Sequence, residues 1–284
     1  MAVTLALAGT AQAGPWVPDR GHGYAKVAVR SLPGFLYAPG PTESEPFPAP
    51  QPYGAYFESN LSTYAEVGLG LGTALLVNWE PLRLFVLEDP RDGQRQVHVA
   101  PGDPAAGIRI VIVRRGRLVS AIETWLRFPI ASGEPVQTVY GKAEGNPQLG
   151  ALQVGTGVWE GEAHVSVGAG FDRLYLTGSV GIAGRGGGFD SLFLWTAELG
   201  SPLGRGANGR VKLNGRHPLG DGAAPYGDSP SGLGNGSRVM SFAIELDLPL
   251  RKSWILSLGV AGALGPVARQ TYGPVFNLGL ASTF

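Results

Sequence analysis

His164 follows Glu160 and Glu162 by four and two residues and precedes Ser166 by two, so all four share one face if the segment is a strand. A histidine between carboxylates and a hydroxyl is the raw material of a Ser–His–acid arrangement, in which the acid orients the imidazole and the imidazole activates the hydroxyl. The same residues serve equally well as hydrogen-bonding groups on a polar wall. Other chemistry is scarce. The chain has no cysteine, which removes disulfides, thiolate zinc sites and cysteine nucleophiles. Gly184-Arg185-Gly186-Gly187-Gly188 lacks the Gly-Lys-Ser/Thr ending of a phosphate-binding loop and reads as a flexible turn. Asp221 and Asp228 lie in a glycine-rich stretch, but their spacing matches no known cation loop, so neither a metal nor a cofactor is expected.

Most of the remaining charge obeys a positional rule. Lys26, Arg30, Glu66, Arg109, Glu123, Arg127, Glu198, Arg210, Lys212, Arg216, Glu245 and Asp247 each fall on the polar parity of an alternating segment, as do Glu160, Glu162 and His164. Consecutive segments carry complementary signs. Arg127 precedes Glu160 and Glu162, and Arg210, Lys212 and Arg216 precede Glu245 and Asp247. Neighbouring antiparallel strands would join these as cross-strand ion pairs. Such pairs either brace a wall or line a narrow polar channel with acidic and basic sides.

Twelve alternating segments can carry these residues: 23–32, 57–69, 73–86, 107–114, 118–130, 159–171, 174–185, 189–199, 209–216, 240–248, 254–261 and 271–284. In the tenth, Met240, Phe242, Ile244, Leu246 and Leu248 alternate with Ser241, Ala243, Glu245 and Asp247. In the last, Phe276, Leu278, Leu280 and Phe284 oppose Asn277, Gly279, Ala281 and Thr283. The third is less regular, being broken by Pro81. Short connections at 70–72, 114–117, 170–173, 203–206 and 251–253 alternate with long ones at 33–55, 88–106, 131–157 and 218–235. A transmembrane barrel has this rhythm, with short periplasmic turns, long extracellular loops and an even strand number.

Composition agrees. Charged residues make up 15% of the 284, and there are 45 glycines. Mean hydropathy is +0.07, yet no run approaches the ~20 apolar residues of a spanning helix. Zero net charge argues against nucleic-acid binding. A soluble sandwich or propeller is the competing all-β architecture, but a propeller would show repeats of ~40 residues, and a sandwich would lack the short/long rhythm. The expected fold is therefore an all-β, up-and-down antiparallel transmembrane barrel of about 12 strands over residues 14–284. Residues 1–13 read as the end of a secretory signal, with an apolar stretch at 3–8 and an A-x-A cleavage site at Ala11-Gln12-Ala13, although a basic leading region is missing.

Trp159 and Trp254 sit near segment starts on the outward parity, where interfacial girdle aromatics belong. For Trp79, Trp125 and Trp195, core packing is the alternative. A final strand ending on Phe284 resembles the signal read by outer-membrane assembly machinery, with Ser282 where a second aromatic is common.

Gly102-Asp103 leading into Ala106-Gly107-Ile108-Arg109-Ile110, then Val154-Gly155-Thr156-Gly157-Val158-Trp159-Glu160, and finally the ending 273–284 together resemble an outer-membrane barrel family. It is the family of transporters of the MetA pathway of phenol degradation. That resemblance implies an outer-membrane barrel and the passage of small or hydrophobic solutes, and it transfers no binding residue. The expected partners are outer-membrane lipid, the barrel assembly machinery and an unidentified small solute, with no nucleic acid and a monomeric state. The expected function is a channel or passive transporter of small, hydrophobic or aromatic solutes in the outer membrane of a two-membrane bacterium. A surface barrel without transport and an outer-membrane lipid hydrolase using His164 are the alternatives.

Overall fold

The computed structural model describes residues 14–40, 49, 51–89, 92–140, 148–220, 229–251, 253–265 and 267–284. The signal-like stretch 1–13, Asp221 and Asp228 lie outside the described residues. The strands are β1 (Gly23–Ala38), β2 (Gln51–Gly70), β3 (Thr73–Glu88), β4 (Arg95–Ala100), β5 (Ala105–Arg115), β6 (Leu118–Arg127), β7 (Gln137–Tyr140) and β8 (Gln148–Leu152). They continue as β9 (Glu160–Gly170), β10 (Tyr175–Arg185), β11 (Leu192–Gly204), β12 (Ala207–Pro218), β13 (Val239–Arg251), β14 (Trp254–Ala263), β15 (Gln270–Tyr272) and β16 (Val275–Thr283).

Twelve of these close into one antiparallel barrel, because β16 pairs back onto β1 from Tyr24↔Thr283 to Ser31↔Phe276. Closure leaves no unpaired edge, the condition a β-structure must meet in lipid. The twelve are the segments expected from alternation, each shifted by a few residues at its ends. The other four strands sit at the long-loop end: β4 pairs with β3, β15 with β1, and β7 with β8 as a separate hairpin.

Apolar residues cover the outside. Val180, Ile182, Ile244 and Leu278 are each more than half exposed on that surface. Charged side chains on the opposite parity point into the barrel, so the period-2 pattern is a lipid-type exterior around a polar lumen. Trp254 and Trp159 are exposed at opposite ends of the wall, the first beside a short turn and the second beside a long loop.

The short connections are tight. Gly70, Leu71 and Gly72 all take left-handed φ values of 93°, 53° and 72°, and Gly204, Arg205 and Gly206 repeat the pattern at 91°, 50° and 79°. Three successive left-handed residues reverse a strand within one step, and glycine makes two of the three free of strain.

β1, β2 and β3 run 16, 20 and 16 residues, against 9 to 13 for the rest of the barrel wall. A membrane crossing takes about 9–11 residues, so this trio rises beyond the others at the long-loop end by about 20 Å along the strand. Its inner face carries Tyr37, Tyr56, Phe85 and Leu87, which bury against Val139, Leu152 and Val154 from the β7–β8 loop. This apolar cluster pins the hairpin-bearing loop across the long-loop mouth.

Pro81 marks a β-bulge. Leu61 pairs with Leu82 but Thr63 with Trp79, so β3 holds one extra residue there. A single inserted residue flips the parity of everything beyond it. Ala74 and Leu76 face inward below the bulge, and Arg83, Phe85 and Leu87 face inward above it.

Candidate functional site: the lumen

Two adjoining cavities lie inside the barrel among the described residues. The central one, of about 470 Å³, is lined among others by Lys26, Glu66, Arg109, Glu123, Arg127, Glu162, His164, Arg210, Lys212 and Glu245. The second, a vestibule of about 690 Å³ at the long-loop end, includes Arg30, Arg127, Glu160 and Glu162 in its wall. Asn78, Arg127, Glu162 and Asn214 line both, so they mark the level at which the two spaces meet. Asp247 lines neither; it is buried in the wall, where it binds Arg210 Nη1 at 2.9 Å and accepts a hydrogen bond from Ser257.

Four arginines organise this interior, each gripping two carboxylates. Arg109 reaches Glu123 at 2.6 Å and Glu66 at 3.1 Å. Arg127 reaches Glu160 at 3.1 Å and Glu162 at 3.3 Å. Arg210 reaches Glu245 at 2.5 Å and Asp247 at 2.9 Å. Arg83 reaches Glu58 at 3.0 Å and Glu80 at 3.3 Å. Lys212 joins the third group through Glu245 at 3.1 Å and Glu198 at 3.4 Å. The planar guanidinium fork suits such bridging, and a buried carboxylate retained without a cation would be costly. Lys26 instead donates to Ser257 Oγ at 3.1 Å.

His164 meets Glu162 through Nε2 at 3.0 Å. Gly181 stands directly across from it on β10, where any Cβ would fall within 2.4 Å of the imidazole Nδ1. Glycine there makes room for the ring. Ser166 Oγ donates to the Ala121 carbonyl at 3.3 Å, so no serine–histidine hydrogen bond forms among the described residues. The structure thus brings the acid and the histidine together but not the hydroxyl. Trp125 lies on the inner face, with Nε1 donating to Glu123 at 2.6 Å. Trp195 contacts His217 Nε2 at 3.2 Å, and Trp79 donates to the Gly102 carbonyl at 3.0 Å.

Arg216 differs from its sequence expectation. It pairs in register with Val239 and donates to the Gly232 carbonyl at 2.7 Å and to Ser237 Oγ at 2.9 Å, leaving Glu245 and Asp247 to Arg210 and Lys212. Six residues along a strand are about 20 Å, beyond any side chain's reach.

The segment before β1 occupies the short-turn mouth. The Trp16 ring packs edge-on to Tyr175 at 5.7 Å, and the Trp16 carbonyl accepts from Arg109 Nη1 at 3.2 Å. Pro15 is fully buried. Gly68 and Gly168 on the inner wall leave space for this chain; a Cβ on Gly168 would sit 2.8 Å from both Pro15 and Trp16, and one on Gly68 2.2 Å from the Pro18 carbonyl. Alternation says nothing of an irregular segment, and the only sequence traces of it are small residues at inward positions. Glu58, Glu80 and Arg83 also belong to this interior: Glu58 shares the polar parity of Tyr64 and Glu66, so alternation could have found it, whereas the Pro81 bulge inverts the parity of Arg83.

Phe284 closes the barrel. Its N–H donates to the Gly23 carbonyl at 3.1 Å, its own carbonyl accepts from the Gly23 N–H at 2.9 Å, and its exposed ring lies over Gly23.

No protein-family model matches the chain, and no curated protein matches it in sequence. Solved structures do match in shape. The COG4313 outer membrane channel from Pseudomonas putida F1 aligns over 97% of this chain and 100% of its own, with a TM-score of 0.63 at 8% identity. The KdgM porin aligns over 92% and 99% with a TM-score of 0.52, and the NanC porin over 91% and 100% with 0.51, each at 8% identity. At such identities the likeness is one of fold: a closed, 12-stranded antiparallel barrel of the outer-membrane type.

Proposed function

We propose that this protein is a passive channel for small solutes, seated as a monomer in the outer membrane of a two-membrane bacterium. Its short turns face the periplasm and its long loops face outward. The observation that carries the reading is a mainly apolar exterior around a charged interior that holds two adjoining cavities. A wall built only for anchorage has no need of enclosed polar space, and the shape-related proteins named above are described as a channel and porins.

Small aromatic or hydrophobic solutes fit best. Tyr24, Tyr64 and Trp125 face the central cavity, and flat rings stack favourably on such side chains. The resemblance to phenol-degradation transporters supports the same class. Lipid and the barrel assembly machinery, with Phe284 as its signal, complete the set of partners.

The test is single-channel recording of the purified protein in planar bilayers, together with solute uptake into liposomes. Discrete openings and uptake of a small phenol are expected. A correctly folded, heat-modifiable barrel that neither conducts nor admits solute would overturn transport in favour of a purely structural barrel.

A further inference from the structure

We propose that Arg30, Arg185 and Arg216 form an anion-recognition site in the vestibule, one that captures the carboxylate of a small organic acid before it passes inward. The inference rests on the channel reading and names its substrate class. Its basis is a contrast inside one lumen. Arg83, Arg109, Arg127 and Arg210 each hold two carboxylates. Arg30, Arg185 and Arg216 line the vestibule, and none of them has a carboxylate within ion-pairing distance among the described residues.

Arg185 donates to the Asp190 backbone carbonyl at 2.8 Å and to Asn235 Oδ1 at 3.3 Å, with its guanidinium 4.9 Å above the Phe189 ring. Among the described residues, Arg216 donates only from Nη2, to the Gly232 carbonyl and the Ser237 hydroxyl, and its buried Nε has no partner. Arg30 makes no side-chain hydrogen bond with described residues, and it is exposed to the lumen.

These cations also feel one another. Arg30, Arg127 and Arg185 all lie near enough to Arg216 to repel its charge. The carboxylate that offsets Arg216 is Glu160, already held by Arg127 at 3.1 Å, and the one that faces Arg30 is Glu58, already held by Arg83 at 3.0 Å. Asp103, on the same wall, is taken up by the backbone N–H groups of Ile130 at 2.9 Å and Ala131 at 2.8 Å. Arg185 and Arg216 are partly sheltered and have no carboxylate at ion-pairing distance among the described residues, so an anion binding between them and the lumen-exposed Arg30 adds a direct counter-charge that the fold leaves out. The volume of about 690 Å³ far exceeds that of an inorganic anion. Leu32, Val239 and Val275 in the same wall offer apolar surface to an organic body. Together these select a carboxylate on a small apolar frame.

The experiment is calorimetric titration of the detergent-purified full chain at low salt with benzoate, its neutral isostere benzamide, and inorganic phosphate, alongside bilayer recording. Benzoate should bind, and benzamide and phosphate should bind at least tenfold more weakly. Arg30→Gln removes no side-chain hydrogen bond to a described residue and so keeps the fold; it should weaken benzoate about tenfold, as loss of one charge-assisted bond does. Arg216→Gln should weaken it at least as much. Equal binding of benzoate and benzamide, tighter binding of phosphate than of benzoate, or an unchanged benzoate affinity in a folded Arg30→Gln protein would each overturn the site. Arginine-dependent benzoate binding without conductance would sink passage and keep the site; conductance without such binding would do the reverse.

Discussion

Arg210 has only 6% of its side chain exposed and holds Glu245 and Asp247 from one position. Replacing it with alanine strands two carboxylates in the wall. Arg210→Ala should therefore cost about 3–5 kcal/mol, the usual penalty for breaking a buried pair, read as a lower midpoint of denaturant unfolding in detergent. Arg117 and Asp172 form an ion pair of similar length, 2.7 Å, but 61% and 79% of their side chains are exposed. Arg117→Ala should change the same midpoint by less than about 1 kcal/mol. Parity alone placed Arg109, Glu123, Arg127 and Arg210 on the inner face. Which carboxylate each one holds depended on register, and register is where the expected Arg216 partnership failed.

At the scale of elements, alternation located the twelve wall strands, while the features without a period stayed hidden. Residues 14–20 lie within the short-turn mouth through Pro15, Trp16 and contacts to Arg109 and Tyr175. A chain lacking residues 1–20 should keep the barrel, whose pairing begins at Gly23, and show a several-fold larger single-channel conductance in the same bilayers; an unchanged conductance would show that this segment does not limit the pore. The outer face has its own test. Ile244 is 51% exposed at mid-wall, and Ile244→Arg should destabilise the protein in lipid by about 2–4 kcal/mol. Leu71, fully exposed at a turn tip, should accept arginine with little change. Equal tolerance at both positions would mean that the exterior does not face lipid. The β3 bulge belongs to this scale too: Pro81 announced an irregularity, but only pairing with β2 revealed that Arg83 and Phe85 turn inward beyond it.

For the whole molecule, closure is the decisive event. One long-range pairing, β1 with β16, converts an open meander into a ring and encloses its charge. Phe284 lies on that seam, hydrogen-bonded to Gly23. Deleting it should slow assembly in cells, seen as a smaller heat-modifiable fraction, while leaving chemically refolded protein able to close. The sequence by itself determined that the chain is all-β, that it alternates, which faces are oily, and which connections are short. These are local properties, carried by the two-residue period of a strand and by turn residues. The tertiary structure alone decided what fills the ring. Register matched Arg210 to Glu245 and left Arg216 to the loops, a bulge turned β3, the β7–β8 loop sealed onto the raised strands, and an irregular segment entered the lumen. Each depends on residues far apart in the chain meeting at one height of a closed wall, and no local pattern encodes that height.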